Sequence, residues 1–465
     1  MTSILRNKIL AIYIGAAGLG VYSQIVNLYM LFNAIFPIGS IGITRYTSNY
    51  IANNKTNELD SLLKNIFLKN FVYSVILSLI FIALSGYISF WLFDNNEYND
   101  LLIIFAFSVP ASLFYNLTDA YFKGLRKINI YIVFLIINSI VNLSINISFI
   151  YLYGVLGAVL SFIITALLNS LVGFYLLKKE NLLPRFNLSI SHNVSEESKI
   201  YRIGLSSVLI LAIQQITFLI VKSNIANELS LHDVGLFQSM YAISVSYFGI
   251  FFAILSTYSF PKISSLKNKN EIIAELNNTI RFLIVVYSPI LIIVLVFRQF
   301  VIQLLFSNEF LIIKDILMFQ LIGDFFRAYS WVFGLWLLPT LKVKQWMMFD
   351  ILFYLLFYVF FTMGLYVFHW DLSSVAIAYM AAYFIHLFVN FLYTKKSLSF
   401  NFQKGNLKQI IYSSLVVLVI FVVSMNNEEV GFYIVIPCLL IWGYLTISKN
   451  DINNIKSLIN SKIKS

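Results

Sequence analysis

QLIGDFFRAYSWVFGLWLLPT, residues 320–340, is long and apolar enough to cross a bilayer, yet it carries Asp324 and Arg327 near its middle and Gln320 one turn earlier. A charge at the bilayer centre costs at least about 2.5–3.5 kcal/mol on insertion scales. A spanning helix accepts two when they satisfy each other or face something polar inside the protein. Asp324 and Arg327 stand at i, i+3, on one helix face, so they can pair. A paired arginine still has donors to spare, so pairing and a role in a polar cavity are compatible.

The rest of the chain has the same character. Hydrophobic residues make up 60% of the 465 positions and charged residues 11%, against about 25% charged in a soluble domain. The excess is spread from end to end, which predicts an all-α, polytopic membrane protein. A single cysteine, Cys438, rules out an internal disulfide. No Cys/His cluster suggests a metal site, and the four histidines are far apart. No small-residue cleavage site follows the first apolar run. There is no Walker lysine loop, GxSxG elbow or GxGxxG after a strand. Nothing here points to an enzyme, a cofactor or ATP hydrolysis.

A helix needs about 20 apolar residues to span the hydrocarbon core. Such runs fall near 21–44, 66–93, 101–122, 128–153, 155–177, 200–226, 234–260, 281–306, 316–341, 346–368, 372–394, 407–424 and 431–448, thirteen in all, with a shorter apolar piece at 4–14. In alternate loops and the C-terminal tail stand 24 of the 32 Lys and Arg residues, among them Arg45, Lys123, Lys178, Lys262, Lys342 and Lys395. The opposite loops hold one, Lys314, and are otherwise acidic, with Asp94, Glu228, Glu309 and Glu428 among them. The positive-inside rule therefore places the basic loops and the C-terminus in the cytoplasm. The net charge of +11 is a topology signal, scattered over short loops, and no nucleic-acid partner is expected.

GLGVYSQ (18–24) resembles DVGLFQS (233–239), an offset of 215 residues from Gly20 to Gly235. Repeat-built transporters show such halves. The expected organisation is an N-terminal lobe (1–180), a cytoplasmic linker (181–199), a C-terminal lobe (200–395), two additional helices (396–448) and a basic cytoplasmic tail (449–465). The offset also makes the first helix look truncated, with its cytoplasmic half missing.

NKILAIYIGAAGLGVYSQ (7–24), followed by IGSIGITRYTSNY (38–50), resembles the opening of Wzx-type O-antigen and enterobacterial-common-antigen flippases, and residues 320–346 resemble the signature of their second half. These belong to the multidrug/oligosaccharidyl-lipid/polysaccharide exporter superfamily, and the resemblance runs from the first residue to about 395. Gly15-Ala16 stands where the family usually has Gly-Pro. The resemblance implies two pseudo-symmetric six-helix lobes around a V-shaped central cavity, two extra C-terminal helices, and residence in the bacterial inner membrane. It implies turnover of an undecaprenyl-diphosphate-linked oligosaccharide to the periplasmic leaflet, with O-antigen polymerase and chain-length proteins as candidate partners. A lipid II flippase or a cation-coupled multidrug exporter of the same superfamily is the alternative. A polymerase or ligase of the same lipids generally carries a large periplasmic loop, and the non-cytoplasmic loops here are short.

A diphosphate needs cations, because burying an unpaired charge is costly, and arginine matches phosphate oxygens with a bidentate fork. The candidate binding residues are Arg298, Arg327, Lys222 and Arg45. Lys222, Arg298 and Arg327 with Asp324 form an expected cluster of three cations and one carboxylate, net +2. Lys222 is near enough to a helix end to snorkel; Arg298 lies too deep to do so easily. Arg45, at a cytoplasmic helix end, is a topology anchor or, on the family resemblance, a gating or phosphate-admitting residue. Asp324, Asp350 and Asp119 are the ion-coupling or charge-pair candidates, with H+ or Na+ as the ion. Asn138, Asn142 and Asn146 recur every four residues, a spacing that serves helix packing or sugar contact. Prolines 37, 110, 289 and 339 fall inside the apolar runs, where kinks would let helices bend.

Overall fold

The computed structural model describes residues 2–35, 40–53, 55–183 and 194–447, without the side chains of 2–3, 34–35, 40–42, 45, 56–57 and 194–208. The described residues are almost entirely helical and contain no strand. Contacts divide the chain into two compact units, 1–238 with Leu305–Ser307, and 239–304 with 308–465.

The first unit contains α1 (Thr2–Ile35), α2 (Ser40–Ala52), α3 (Thr56–Phe93), α4 (Asn99–Ala106), α5 (Ser108–Leu125), α6 (Ile128–Lys179), α7 (Val194–Glu228) and the start of α8 (Leu231–Tyr241). Two of these helices are broken by glycine. Gly15 in α1 has φ 64 and ψ −170, and Gly154 in α6 has φ 56 and ψ −131; both lie in regions that only glycine enters at low cost. On α1, Val21, Ile25, Leu28 and Phe32 are spaced 4, 3 and 4, so they form one buried stripe, packed with Phe81, Phe105 and Val109. By packing, α7 sits with α1, α2 and α3; the expected boundary at 181–199 is a statement about sequence likeness, and that segment is mostly outside the described residues.

The second unit continues through a wide π-type turn at Ala242–Tyr247 into α9 (Phe248–Ser265) and α10 (Lys269–Phe282). It goes on with α11 (Ser288–Val296), α12 (Arg298–Leu305), α13 (Lys314–Gly334), α14 (Val343–Thr362), α15 (Ser373–Leu398), α16 (Asn406–Asn426) and α17 (Glu428–Thr446). Helices α13 and α15 pack along their length, α14 packs on α15, and α16 and α17 form a hairpin beside α11. The hairpin buries polar side chains among apolar ones and turns large apolar side chains outward. Ser413, Ser424 and Thr446 are buried, while Tyr433, Leu440 and Tyr444 are exposed by 75%, 69% and 89%. Only a lipid solvent makes that distribution favourable.

Eleven of the described helices or helix pairs are long and apolar enough to cross a membrane. The thirteen expected runs reduce to eleven for two reasons. Runs 128–153 and 155–177 are the single 52-residue span of α6, at about 1.5 Å per residue more than twice the hydrocarbon thickness, folded at the Gly154 break. Helix α13, the quoted stretch, is 21 residues long but carries Lys314, Asp315, Asp324 and Arg327.

Two of the four expected prolines lie inside candidate spans, Pro110 within Asn99–Leu125 and Pro289 within Lys269–Val296, each beside a change of helix geometry. Pro110 lies in the first turn of α5, Pro289 in the first turn of α11, and Pro339 beyond the end of α13; Pro37 is outside the described residues. Pro261 in α9 and Pro437 in α17 lie beyond the first turn of their helices. Hydropathy locates a span but not its end, which is why Pro339 falls past the end of α13.

Candidate functional site

Helix α13 presents Asp324, Arg327 and Ser330 on one side, at 3-residue spacing. Opposite them α15 carries Tyr379, Tyr383, His386, Asn390 and Thr394, spaced 4, 3, 4 and 4, one continuous face. The two faces join as a polar seam. Asp324 is fully buried; its Oδ1 accepts from Tyr379 Oη at 2.8 Å and from Arg327 Nη1 at 3.3 Å. Ser330 Oγ bonds His386 Nδ1 at 2.9 Å and accepts from Asn390 Nδ2 at 3.2 Å. Trp336 Nε1 donates to Thr394 Oγ1 at 2.9 Å, which donates to Phe333 O at 2.8 Å. At Gly323 a Cβ would meet the Tyr379 ring at 2.5 Å, so the close approach of α13 and α15 requires glycine there.

This seam answers the opening stretch. The two charges pair with each other, and they also border a polar space. A cavity of about 200 Å³ lies beside the seam, lined by Arg327, Ser330, Trp346, Asp350, His386 and Asn390 among others. Among the described residues the Arg327 guanidinium donates through Nη1, to Asp324 and to Tyr379. Its carbon lies 4.9 Å from the Phe252 ring centroid, a cation–π contact that holds the plane in place. Arg327 and Asp350, separated by 23 residues in sequence, therefore share one cavity.

Arg298 is placed otherwise than expected. It is 1% exposed, and its guanidinium is occupied by protein. Nε donates to Lys314 O at 3.0 Å, Nη1 to Leu295 O at 3.2 Å, and Nη2 to Asp315 Oδ1 at 3.2 Å and Ser424 O at 3.4 Å; Glu428 Oε1 stands 3.8 Å away. Leu295 and Ser424 lie in the last turns of α11 and α16, so the cation satisfies carbonyls that a helix end leaves open and faces the negative ends of two helix dipoles. Lys314 pairs with Glu428 at 2.8 Å, and that carboxylate holds its ammonium above the ordinary range. Asp315 and Arg327 are 12 residues apart on α13, about 18 Å along the axis. Arg298 and Arg327 consequently do not form one cluster, and the expected net +2 group is not assembled.

Lys222 does not snorkel. It is 2% exposed, and its Nζ donates to Asn27 Oδ1 at 2.5 Å, Gln238 Oε1 at 2.8 Å and Ser23 O at 3.3 Å. Its three protons meet three neutral oxygens inside the first unit. Asn27 is held in turn by its Nδ2 bond to Gln215 Oε1 at 2.8 Å. Asp119 pairs with Lys123 at 2.5 Å and accepts from Tyr131 Oη at 3.0 Å, an i, i+4 pair with an orienting phenol. The side chain of Arg45 is outside the described residues. The α15 face was missed in the sequence reading, although its 4-3-4-4 polar spacing within an apolar run is visible there.

Residues 9–315 match the polysaccharide biosynthesis protein family. The Lipid III flippase of Escherichia coli (strain K12) is 24% identical over 389 residues, covering 82% of this chain and 91% of that protein, and the Lipid III flippase of Shigella flexneri matches equally. Among solved structures, a multidrug resistance MATE family transporter of the MOP superfamily in an inward-facing conformation superposes with a TM-score of 0.74 at 15% identity, covering 86% of this chain and 95% of that one. The lipid II flippase MurJ in an inward-closed conformation gives a TM-score of 0.71 at 17% identity, covering 95% of each. The fold is that of these transporters.

Proposed function

The chain belongs to the polysaccharide biosynthesis protein family, and on that premise we propose that it is a flippase that turns an undecaprenyl-diphosphate-linked oligosaccharide from the cytoplasmic to the periplasmic leaflet of the bacterial inner membrane. The observation that carries the reading is the cavity shared by Arg327, Asp350, His386 and Asn390 beside the buried Asp324–Arg327 pair. A cargo of this kind has three parts. The prenyl tail stays in lipid, the sugars need hydroxyl and amide partners, and the diphosphate needs a cation. Arg327 supplies the cation, with Asp324 and Phe252 fixing its orientation. Asp350, in the same cavity, is the first candidate for coupling to H+ or Na+, ahead of Asp119, whose charge is already matched by Lys123. The excess of basic residues in alternate loops supports a cytoplasmic C-terminus.

The test is flipping of a fluorescent undecaprenyl-diphosphate oligosaccharide in proteoliposomes, alongside complementation of a strain lacking its O-antigen flippase. Arg327→Gln is expected to slow flipping at least about tenfold at unchanged protein level, the size of a lost charge-assisted hydrogen bond of about 1.5–3 kcal/mol. Asp350→Asn is expected to remove the dependence on an ion gradient. Wild-type rates in Arg327→Gln, or preferential transport of lipid II or of cationic drugs by the unaltered chain, would overturn the reading.

A further inference from the structure

An apolar groove of about 340 Å³ opens in the first unit. Its floor is one face of α5, where Phe114, Leu117, Thr118 and Tyr121 are spaced 3, 1 and 3. Helix α5 packs on both α3 and α6, and these supply the walls: Leu63 and Phe67 from α3, Phe174 and Leu177 from α6. Phe67 meets Phe114 edge-on at 5.2 Å and closes the deep end. The two hydroxyls of the floor are spent on backbone. Thr118 Oγ1 donates to Phe114 O at 2.8 Å, and Tyr121 Oη to Leu182 O at 3.0 Å. Among the described residues no charged side chain lines the groove. A sugar would bury its hydroxyls there without partners, which is costly. Phe174 is 55% exposed, so the groove is open on the α6 side, along a span long and apolar enough to lie in lipid.

The other end of the groove meets charge. Lys64 follows Leu63 on α3, and Lys178 follows Leu177 in the last turn of α6. Lys64 stands three residues before Phe67 and Lys178 four after Phe174, so both share the helix faces that wall the groove. Lys123 of α5 is already paired with Asp119. Asp60 and Glu180 are the acids near the two wall lysines in sequence, and among the described residues no ion pair joins either lysine to an acid. An apolar slot open to lipid, with unmatched cations at one end, is complementary to a molecule with an alkyl chain and an anionic head. We propose that this groove is a phospholipid site of the cytoplasmic leaflet, with an acyl chain over α5 between α3 and α6 and an anionic headgroup on Lys64 and Lys178. The leaflet follows from the excess of basic residues in alternate loops, and basic pockets between spanning helices on that side select anionic heads. A lipid seated there bridges α3 and α6, and its binding needs no cargo and no turnover.

The experiment is native mass spectrometry of the purified, delipidated full chain, titrated with dioleoyl phosphatidylglycerol (anionic) and dioleoyl phosphatidylethanolamine (zwitterionic). Phosphatidylglycerol is expected to bind about tenfold more tightly, an effect within reach of two lysines. Lys64→Gln combined with Lys178→Gln is expected to remove that preference. Lys267→Gln, at an exposed lysine of the second unit, is expected to keep it. Leu63→Trp fills the groove from one wall and is expected to weaken both lipids several-fold; if it fails to fold, the lysine variants at the helix ends carry the test. Equal affinity for the two lipids, an unchanged preference in the double variant, or an equal loss in Lys267→Gln would overturn the site. Displacement of bound phosphatidylglycerol by an equal concentration of undecaprenyl diphosphate would make the groove a cargo site and overturn the phospholipid assignment.

Discussion

Arg298→Ala is expected to lower the melting temperature of the purified protein by roughly 6–12 °C and to deplete folded protein in the membrane. The effect follows from what the guanidinium holds. Three backbone carbonyls, of Leu295, Lys314 and Ser424, accept from it, and two of them close helix ends. Each buried acceptor left without a donor costs about 1–3 kcal/mol, and truncating a large buried side chain adds a cavity. The ionic part is smaller, because Asp315 is 66% exposed and Glu428 30%, so solvent screens it. The sum is about 3 kcal/mol or more, and about 2–4 °C of melting temperature accompanies each kcal/mol in a unit of this size. Arg298→Lys is expected to fall between, since an ammonium lacks the planar fork that reaches four acceptors. Asp315→Asn is expected to be nearly silent. The flipping rate per folded molecule is expected to be preserved in all three. A normal melting temperature with lost flipping in Arg298→Ala would place this guanidinium in contact with cargo instead.

The contrast between Arg298 and Arg327 shows what a sequence can and cannot say about a charge in a span. Both were legible as expensive residues requiring a reason. Their reasons differ through partners that composition does not register. Arg298 is satisfied chiefly by backbone carbonyls, and one of them lies 126 residues away at Ser424; every residue has a carbonyl, so no pattern marks these. Lys222 is similar: the neutral oxygens that hold it come from Ser23, Asn27 and Gln238, which no charge count would pair with it. Arg327 was more legible because Asp324 stands one turn away on its own helix. What completes that site, the face from Tyr379 to Thr394, has a readable spacing, but its meaning depends on knowing that α13 lies opposite. The spans themselves were readable because hydrocarbon thickness fixes their length. The break at Gly154 was visible as the boundary between two apolar runs, though not as a fold within one helix.

The two stretches that the sequence likeness pairs also touch in the structure. Gly20 and Gly235, equivalent by the offset of 215 residues, meet where α1 crosses α8 inside the first unit. A Cβ at Gly235 would lie 1.8 Å from Ala16 O and 2.6 Å from Ala16 C; one at Gly20 would lie 2.2 Å from Leu231 O and 3.0 Å from Gly235 N. These are backbone atoms, so no side chain can turn aside, and the helices themselves must separate. Small residues at membrane helix crossings permit this kind of approach. Overpacking of a fitted contact costs about 1–3 kcal/mol even where side chains can move. Gly235→Ala is therefore expected at the upper end or beyond, with a melting temperature lower by roughly 6–12 °C and proportionate loss of folded protein. Gly249→Ala is the control: nothing stands within 4 Å of its Cβ position, and alanine is the better helix former by about 1 kcal/mol, so that variant is expected to be neutral or slightly more stable. The comparison isolates the crossing from the general effect of adding a methyl group to a helical glycine. If Gly235→Ala melts with Gly249→Ala, α1 and α8 have room between them in the membrane, and the likeness of GLGVYSQ to DVGLFQS reflects ancestry alone, without a packing constraint that still acts on it.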